Sequence, residues 1–152
     1  MESLQPLSRQ HKSALMACLL IRKGISKQAK VEDMVSFLQQ CWIQEILPHF
    51  EQEEALLIPL LKKYPKGKIY ADTILRDHEL FRIGMIHLQQ DHLQERLLQD
   101  LAEQLEHHIR FEERIVFQEM QNFIPPAELE QLILKEHDQP SICNNYPQRF
   151  WE

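Results

Sequence analysis

Two short stretches of this chain carry the same set of reactive groups. HFEQEEALLI at 49–58 and HIRFEERIVF at 108–117 share the form H-x-x-x-E-E-x followed by three apolar residues. Residues four apart on a helix lie on one face, so His49 with Glu53, and His108 with Glu112, each aim an imidazole and a carboxylate at one point. His11 and His78 occupy comparable positions in two further stripes, Leu4, Leu7, His11, Leu15 (or Ala14), Cys18, Ile21 and Ile74, His78, Phe81, Met85, Leu88. Such stripes face a core. A bare carboxylate there costs several kcal/mol unless it is paired. No lysine is near; Arg82, one turn from His78, could pair with Glu53 or Glu112. The remaining partners are imidazoles. Four imidazoles and two carboxylates facing each other form a metal site, and such nitrogen and oxygen donors suit iron, manganese or zinc. Two carboxylates able to bridge, with further ligands for each ion, point to two ions rather than one.

The elements that must position these groups read as helices almost throughout. Segment one runs from about Pro6 to Lys23 and breaks at Gly24. Segment two runs from about Val31 to Tyr64, with the stripe Val35, Leu38, Trp42, Ile46 (or Glu45), His49, Glu53, Leu56, Leu60. Pro48 removes a backbone donor inside it, which predicts a kink just before His49. PKGK at 65–68 reads as a turn. Segment three runs from about Ala71 to Gln89. Segment four is capped by Asp91 and carries Leu101, Leu105, His108, Glu112 and Ile115 before Pro125-Pro126 ends it. Pro126 opens a short fifth helix, AELEQLILKEH, and the tail SICNNYPQRFWE has no periodicity. No useful strand alternation occurs. The expected fold is all-α: an antiparallel up-down-up-down four-helix bundle with a short C-terminal fifth helix. Residues 1–140 form the domain and 141–152 a tail. At about 1.5 Å per residue, counting from the turns brings the site groups to levels agreeing within roughly 10 Å.

Bulk properties narrow the function. The 152 residues fit one domain. Seventeen basic against 23 acidic residues, net −6, argue against nucleic acid and against a basic membrane face. The apolar run ALMACLLI is too short to span a bilayer. Cys18, Cys41 and Cys143 are odd in number and far apart, which reads as reduced thiols in a cytosol; Cys18 reads as packing. No Glu-x-x-His pair of the ferritin-like kind, no H-E-x-x-H, no phosphate loop and no G-x-S-x-G occur. His87, His92, His107 and His137 lie off the stripes or near helix ends and read as surface residues.

His11, HFEQEEALLIP, RDHELF and HIRFEERIVF together resemble the hemerythrin-like, or HHE cation-binding, family over about residues 7–124. The resemblance implies a four-helix bundle holding two iron ions with an oxo, hydroxo or water bridge. It implies His11, His49, His78 and His108 as terminal ligands and Glu53 and Glu112 as bridging ones. The oxygen carriers of the family have a second histidine on the third helix, where this chain has Ile74 and Arg82. Their carboxylate spacing on the last helix would select Glu113, whereas the stripe selects Glu112. The four-His, two-Glu set is more similar to the iron-sensing domain of an F-box ubiquitin-ligase subunit and to the di-iron domain of iron–sulfur repair proteins. The resemblance thus implies a cytoplasmic non-haem di-iron protein that binds or senses oxygen, nitric oxide, peroxide or iron itself. Alternatives are a redox enzyme for peroxide or nitric oxide, an iron donor in repair, and a metal-stabilised interaction module without catalysis.

Overall fold

The computed structural model describes residues 4–90, 94–132 and 141–152. Among them the regular structure is helical, with no strand. Helix α1, Gln5–Ser26, opens with Pro6 in its first turn, where a missing N–H leaves no bond unmade. It buries Leu7, His11, Cys18 and Ile21. It does not break at Gly24 as expected. A Cβ there would meet the Phe150 ring and the Met34 sulfur, so the glycine makes room rather than ending the helix. The chain reverses over 27–30, with Gln28 at φ 58°.

Helix α2 spans 31–62 as three α-helical stretches, Val31–Cys41, Leu47–Gln52 and Ile58–Lys62, joined by two π turns, Trp42–Ile46 and Glu53–Leu57. The Leu47 N–H closes the first on the Trp42 carbonyl, and the Ile58 N–H closes the second on that of Glu53. Pro48 and Pro59 come directly after, each lacking the N–H that would continue the ordinary ladder. The kink expected before His49 is therefore a π turn. Helix α3, Pro65–Leu88, begins at Pro65, so PKGK is a first helical turn and not a connection. Gly67 lies so close to the Leu61 carbonyl that a Cβ would collide with it. Helix α4 spans 94–123, with a third π turn, Glu112–Val116, between Gln94–Phe111 and Phe117–Phe123. Two short helices complete the described chain, α5 (Pro126–Glu130) and α6 (Ile142–Asn145). The expected cap at Asp91, the far part of the expected fifth helix, His92 and His137 lie outside the described residues.

A π turn inserts one residue and rotates the helix beyond it by about 100°. This corrects two stripe positions. Leu56 and Ile115 are 37% and 43% exposed, while Leu57 and Val116 are fully buried. Both π turns begin at the first glutamate of an E-E motif, so the polar pair keeps its phase and the apolar residues after it shift by one.

Two apolar clusters flank the polar residues along every long helix. One gathers Cys18 and Ile21 of α1, Phe37, Cys41 and Phe50 of α2, Phe81 and Met85 of α3, and Leu101 and Leu105 of α4. The other gathers Leu4 and Leu7, Leu57 and Leu61, Ala71 and Ile74, and Val116 and Met120. The 141–152 segment completes the first cluster. Tyr146, Phe150 and Trp151 set their rings 5.1, 5.2 and 5.9 Å from that of Phe37. Among the described residues no helix is long and apolar enough to cross a membrane.

Candidate metal centre

The six sequence-selected residues are also the buried polar side chains among the described residues: His11, His49, Glu53, His78, His108 and Glu112. The four helices bring them to one place. His11 Nε2 lies 3.1 Å from His49 Nε2 and 3.0 Å from Glu112 Oε1. His49 Nε2 lies 3.4 Å from Glu53 Oε2, and His78 Nε2 3.0 Å from Glu53 Oε1. His108 Nε2 stands 3.5 Å from Glu112 Oε1 and 3.9 Å from Glu53 Oε1. The ligand atoms form two sets, each within 4.8 Å: His11, His49, Glu53 and Glu112, and Glu53, His78, His108 and Glu112. Both carboxylates belong to both sets.

The outer nitrogen of every imidazole is braced from a neighbouring helix. His11 Nδ1 faces Glu113 Oε1 at 2.7 Å, and His49 Nδ1 faces Gln10 Oε1 at 2.5 Å. His78 Nδ1 faces Glu54 Oε2 at 2.7 Å, and His108 Nδ1 faces Asp77 Oδ2 at 3.0 Å. All four partners are acceptors, so each Nδ1 carries the proton and each neutral ring turns its Nε2 lone pair inward. Metal-binding histidines are oriented in this way. Lone pairs and carboxylates then face each other with no donor between them. Glu53 Oε2, His108 Nε2 and both Glu112 oxygens have no hydrogen-bond partner.

Without a cation, protons must fill that role. Burial disfavours a charged His11, but Glu112 and Glu113 overcome it and raise its pKa to about 9. Burial acts likewise on His108, and Glu112, Asp77 and Glu53 lift it to about 10. Burial and the charge of Glu53 push Glu112 up to about 7. Burial also opposes ionisation of Glu53, yet His49, His108 and His78 hold it well below the usual carboxylate range. His49 is drawn down, chiefly by burial. The donor set fits divalent or trivalent cations: hard oxygens, imidazole nitrogens and uncompensated buried charge.

A sequence profile described as the Hemerythrin HHE cation binding domain matches residues 3–120. The chain belongs to this family. No match was found among curated proteins or solved structures.

Within the HHE domain, Arg82 departs from expectation. It pairs with neither buried carboxylate but with Glu54, through bonds of 2.8 and 3.0 Å. Glu54 sits at the edge of the site with room for a guanidinium; the buried carboxylates do not. The bracing residues Gln10, Glu54, Asp77 and Glu113 were missed by the stripe pattern. A signal existed for all four: Glu54 and Glu113 are the second glutamates of the E-E motifs, and Gln10 and Asp77 directly precede His11 and His78. Glu113 therefore touches the site through His11, while Glu112 turns inward. His87 and His107 are exposed, as expected of surface residues. A cavity of about 230 Å³ reaches His11 and His49, with Glu45, Leu105, Ile109 and Ser141 in its walls. The cavity beside His108 is about 80 Å³.

Proposed function

We propose that this HHE domain is a cytoplasmic non-haem di-iron protein that binds a small ligand, oxygen, nitric oxide or peroxide. One observation carries the reading: two four-residue sets of inward-facing donors that share Glu53 and Glu112. In this reading His11 and His49 hold one ion, His78 and His108 the other, and the shared carboxylates span both. The order of the two apolar clusters reverses from each long helix to the next. That reversal supports an antiparallel up-down-up-down four-helix bundle over residues 1–140, with 141–152 as an appended tail.

Bound there, iron supplies open coordination positions and one-electron chemistry toward diatomic ligands and peroxides. The chain's own residues do the rest. Glu113 and Gln10 hold the Nδ1 protons of His11 and His49 and fix both rings. Leu105 and Ile109 make the cavity wall apolar, which favours a small neutral ligand over bulk water. The cavity that reaches His11 and His49 supports binding of that ligand at their end.

Elemental analysis of protein made in iron-supplemented medium tests the centre. About two irons per chain are expected, and Glu112→Ala should lose metal and melt lower, because ion binding is coupled to folding. One zinc, or unchanged metal in the variant, would overturn the shared role of Glu112.

A further inference from the structure

We propose that the cavity beside His11 and His49 binds a small organic molecule with an apolar body the size of a benzene ring and one hydrogen-bond-donating head, an O–H group. Its volume, about 230 Å³, is far more than a diatomic ligand fills. A water molecule's share of liquid volume is about 30 Å³, and an apolar cavity of about 150 Å³ takes up benzene. Buried Ile46 and Phe50 of α2 and Leu105 and Ile109 of α4 give the body apolar walls. Covering the body there removes apolar surface from water.

The head is specified by donors and acceptors. Three half-buried side chains in the wall, Ser13, Glu45 and Ser141, form one polar clasp. The Ser13 hydroxyl donates to Glu45 Oε2 and the Ile142 N–H to Glu45 Oε1, both at 2.8 Å. Ser13 has given its one proton, so Ser141 donates the 2.7 Å bond between the two hydroxyls. The Ser141 oxygen in turn accepts from the Cys143 N–H at 3.2 Å. Both hydroxyl protons are therefore committed, and the clasp has no donor left. The Glu45 carboxylate still has unused lone pairs, since a carboxylate offers about four acceptor sites. The Gln10 amide is committed as well, its oxygen to His49 Nδ1 and its nitrogen to Gln52. Arg9 and Gln44, further polar groups of the wall, are exposed to solvent. A head that donates completes the clasp. A head that only accepts meets lone pairs and gives up its bonds to water without replacement.

The acceptor is also preformed. The clasp ties α1, α2 and the start of α6 together with no ligand present, so little ordering is left to oppose binding. This binding needs no iron. Where the metal reading also holds, a hydroperoxide with a short organic tail has both the O–H head and the apolar body. The peroxide class then narrows to organic peroxides, and that consequence alone rests on the metal reading.

Isothermal titration calorimetry on the full chain as purified tests the site with cyclohexanol, cyclohexanone and cyclohexanecarboxylate. Cyclohexanol should bind at one site per chain, about ten- to a hundredfold more tightly than the ketone, as a hydrogen bond to a charged acceptor implies. The carboxylate should not bind. Glu45→Gln, which keeps the shape of the wall and adds a donor, should bring the alcohol-to-ketone ratio to about one or below. Ala14→Phe, which fills the cavity, should abolish binding of both. Should that variant misfold, the ratio in the unaltered chain and its loss in E45Q still decide. Equal binding of alcohol and ketone, a ratio unmoved in E45Q, or no heat from cyclohexanol up to its solubility limit would overturn the proposal. Metal analysis fails separately: a chain without iron that keeps the alcohol preference sinks the iron reading alone, and two irons without alcohol binding sink this one alone.

Discussion

The first two long helices and the last two supply the same frame with different charge. Each half offers a lone histidine, an H-x-x-x-E-E motif and a brace residue just before the lone histidine: Gln10 before His11, Asp77 before His78. Each second glutamate braces the lone histidine of the other half. The brace for the motif histidine is neutral in α1, where Gln10 faces His49, and ionised in α3, where Asp77 faces His108. Asp77 itself is held below its ordinary range: burial opposes ionisation, but His108 overcomes it. Arg82 adds a cation one turn past His78; the matching position past His11 is Leu15. Both imidazoles of the α3–α4 half are thus braced by carboxylates beside the smaller cavity, whereas the α1–α2 half has one carboxylate and one amide brace beside the larger one. A duplicated ligand frame can be kept while its two ends diverge in charge and access.

The largest expected effect concerns the feature the halves share, the π turn after each motif. Leu57→Ala should cost about 2–5 kcal/mol, whereas Leu56→Ala and Ile115→Ala should stay within about 0.5 kcal/mol. Urea unfolding of the metal-free protein measures this. Equal costs at Leu56 and Leu57 would mean that the register does not shift after Glu53.

Next comes the difference that divides the halves. Asp77→Ala should weaken metal binding about 10–100-fold in a chelator competition. Gln10→Ala should weaken it less, because a carboxylate acceptor makes roughly twice as strong a hydrogen bond as a neutral one. Equal losses would erase the distinction drawn between the two ends.

The smallest effect is in acid–base behaviour without metal. His11 and His108 have folded pKa values near 9 and 10, above their ordinary 6.5. Their stabilisation is therefore complete below about 6.5 and is lost as pH climbs through 9 and 10. Glu112, raised to about 7, gives up its own proton partway and adds to the loss between about 4.5 and 7. With a chelator present, the melting midpoint should drop by a few degrees from pH 6.5 to 10. A midpoint that rises would contradict protons standing in for cations.

The fold class and the six convergent residues were legible because helical period alone sets them: residues spaced by three and four share a face whatever the packing. Leu56 and Ile115 were misassigned because a π turn leaves no mark in a 3.6-residue pattern. Pro48 and Pro59 hint at two such turns on α2, but α4 makes its own with no proline. The brace residues were hidden for another reason. Each contacts a histidine on a different helix, and a one-dimensional pattern records faces, not which helices adjoin. The docking of Phe150 and Trp151 on Phe37 was likewise invisible, since the tail has no period to read.

The braces have one more consequence. α1 steadies an imidazole on α2, α2 one on α3, α3 one on α4, and α4 one on α1. The support closes into a circuit with no first member. If any one long helix opens, it withdraws its own imidazole and also releases the one on the next helix. Cations held here would therefore be kept not by affinity alone but by the slowness of helix opening. Ion release and loss of structure would become one event, with no half-open form that still retains its load.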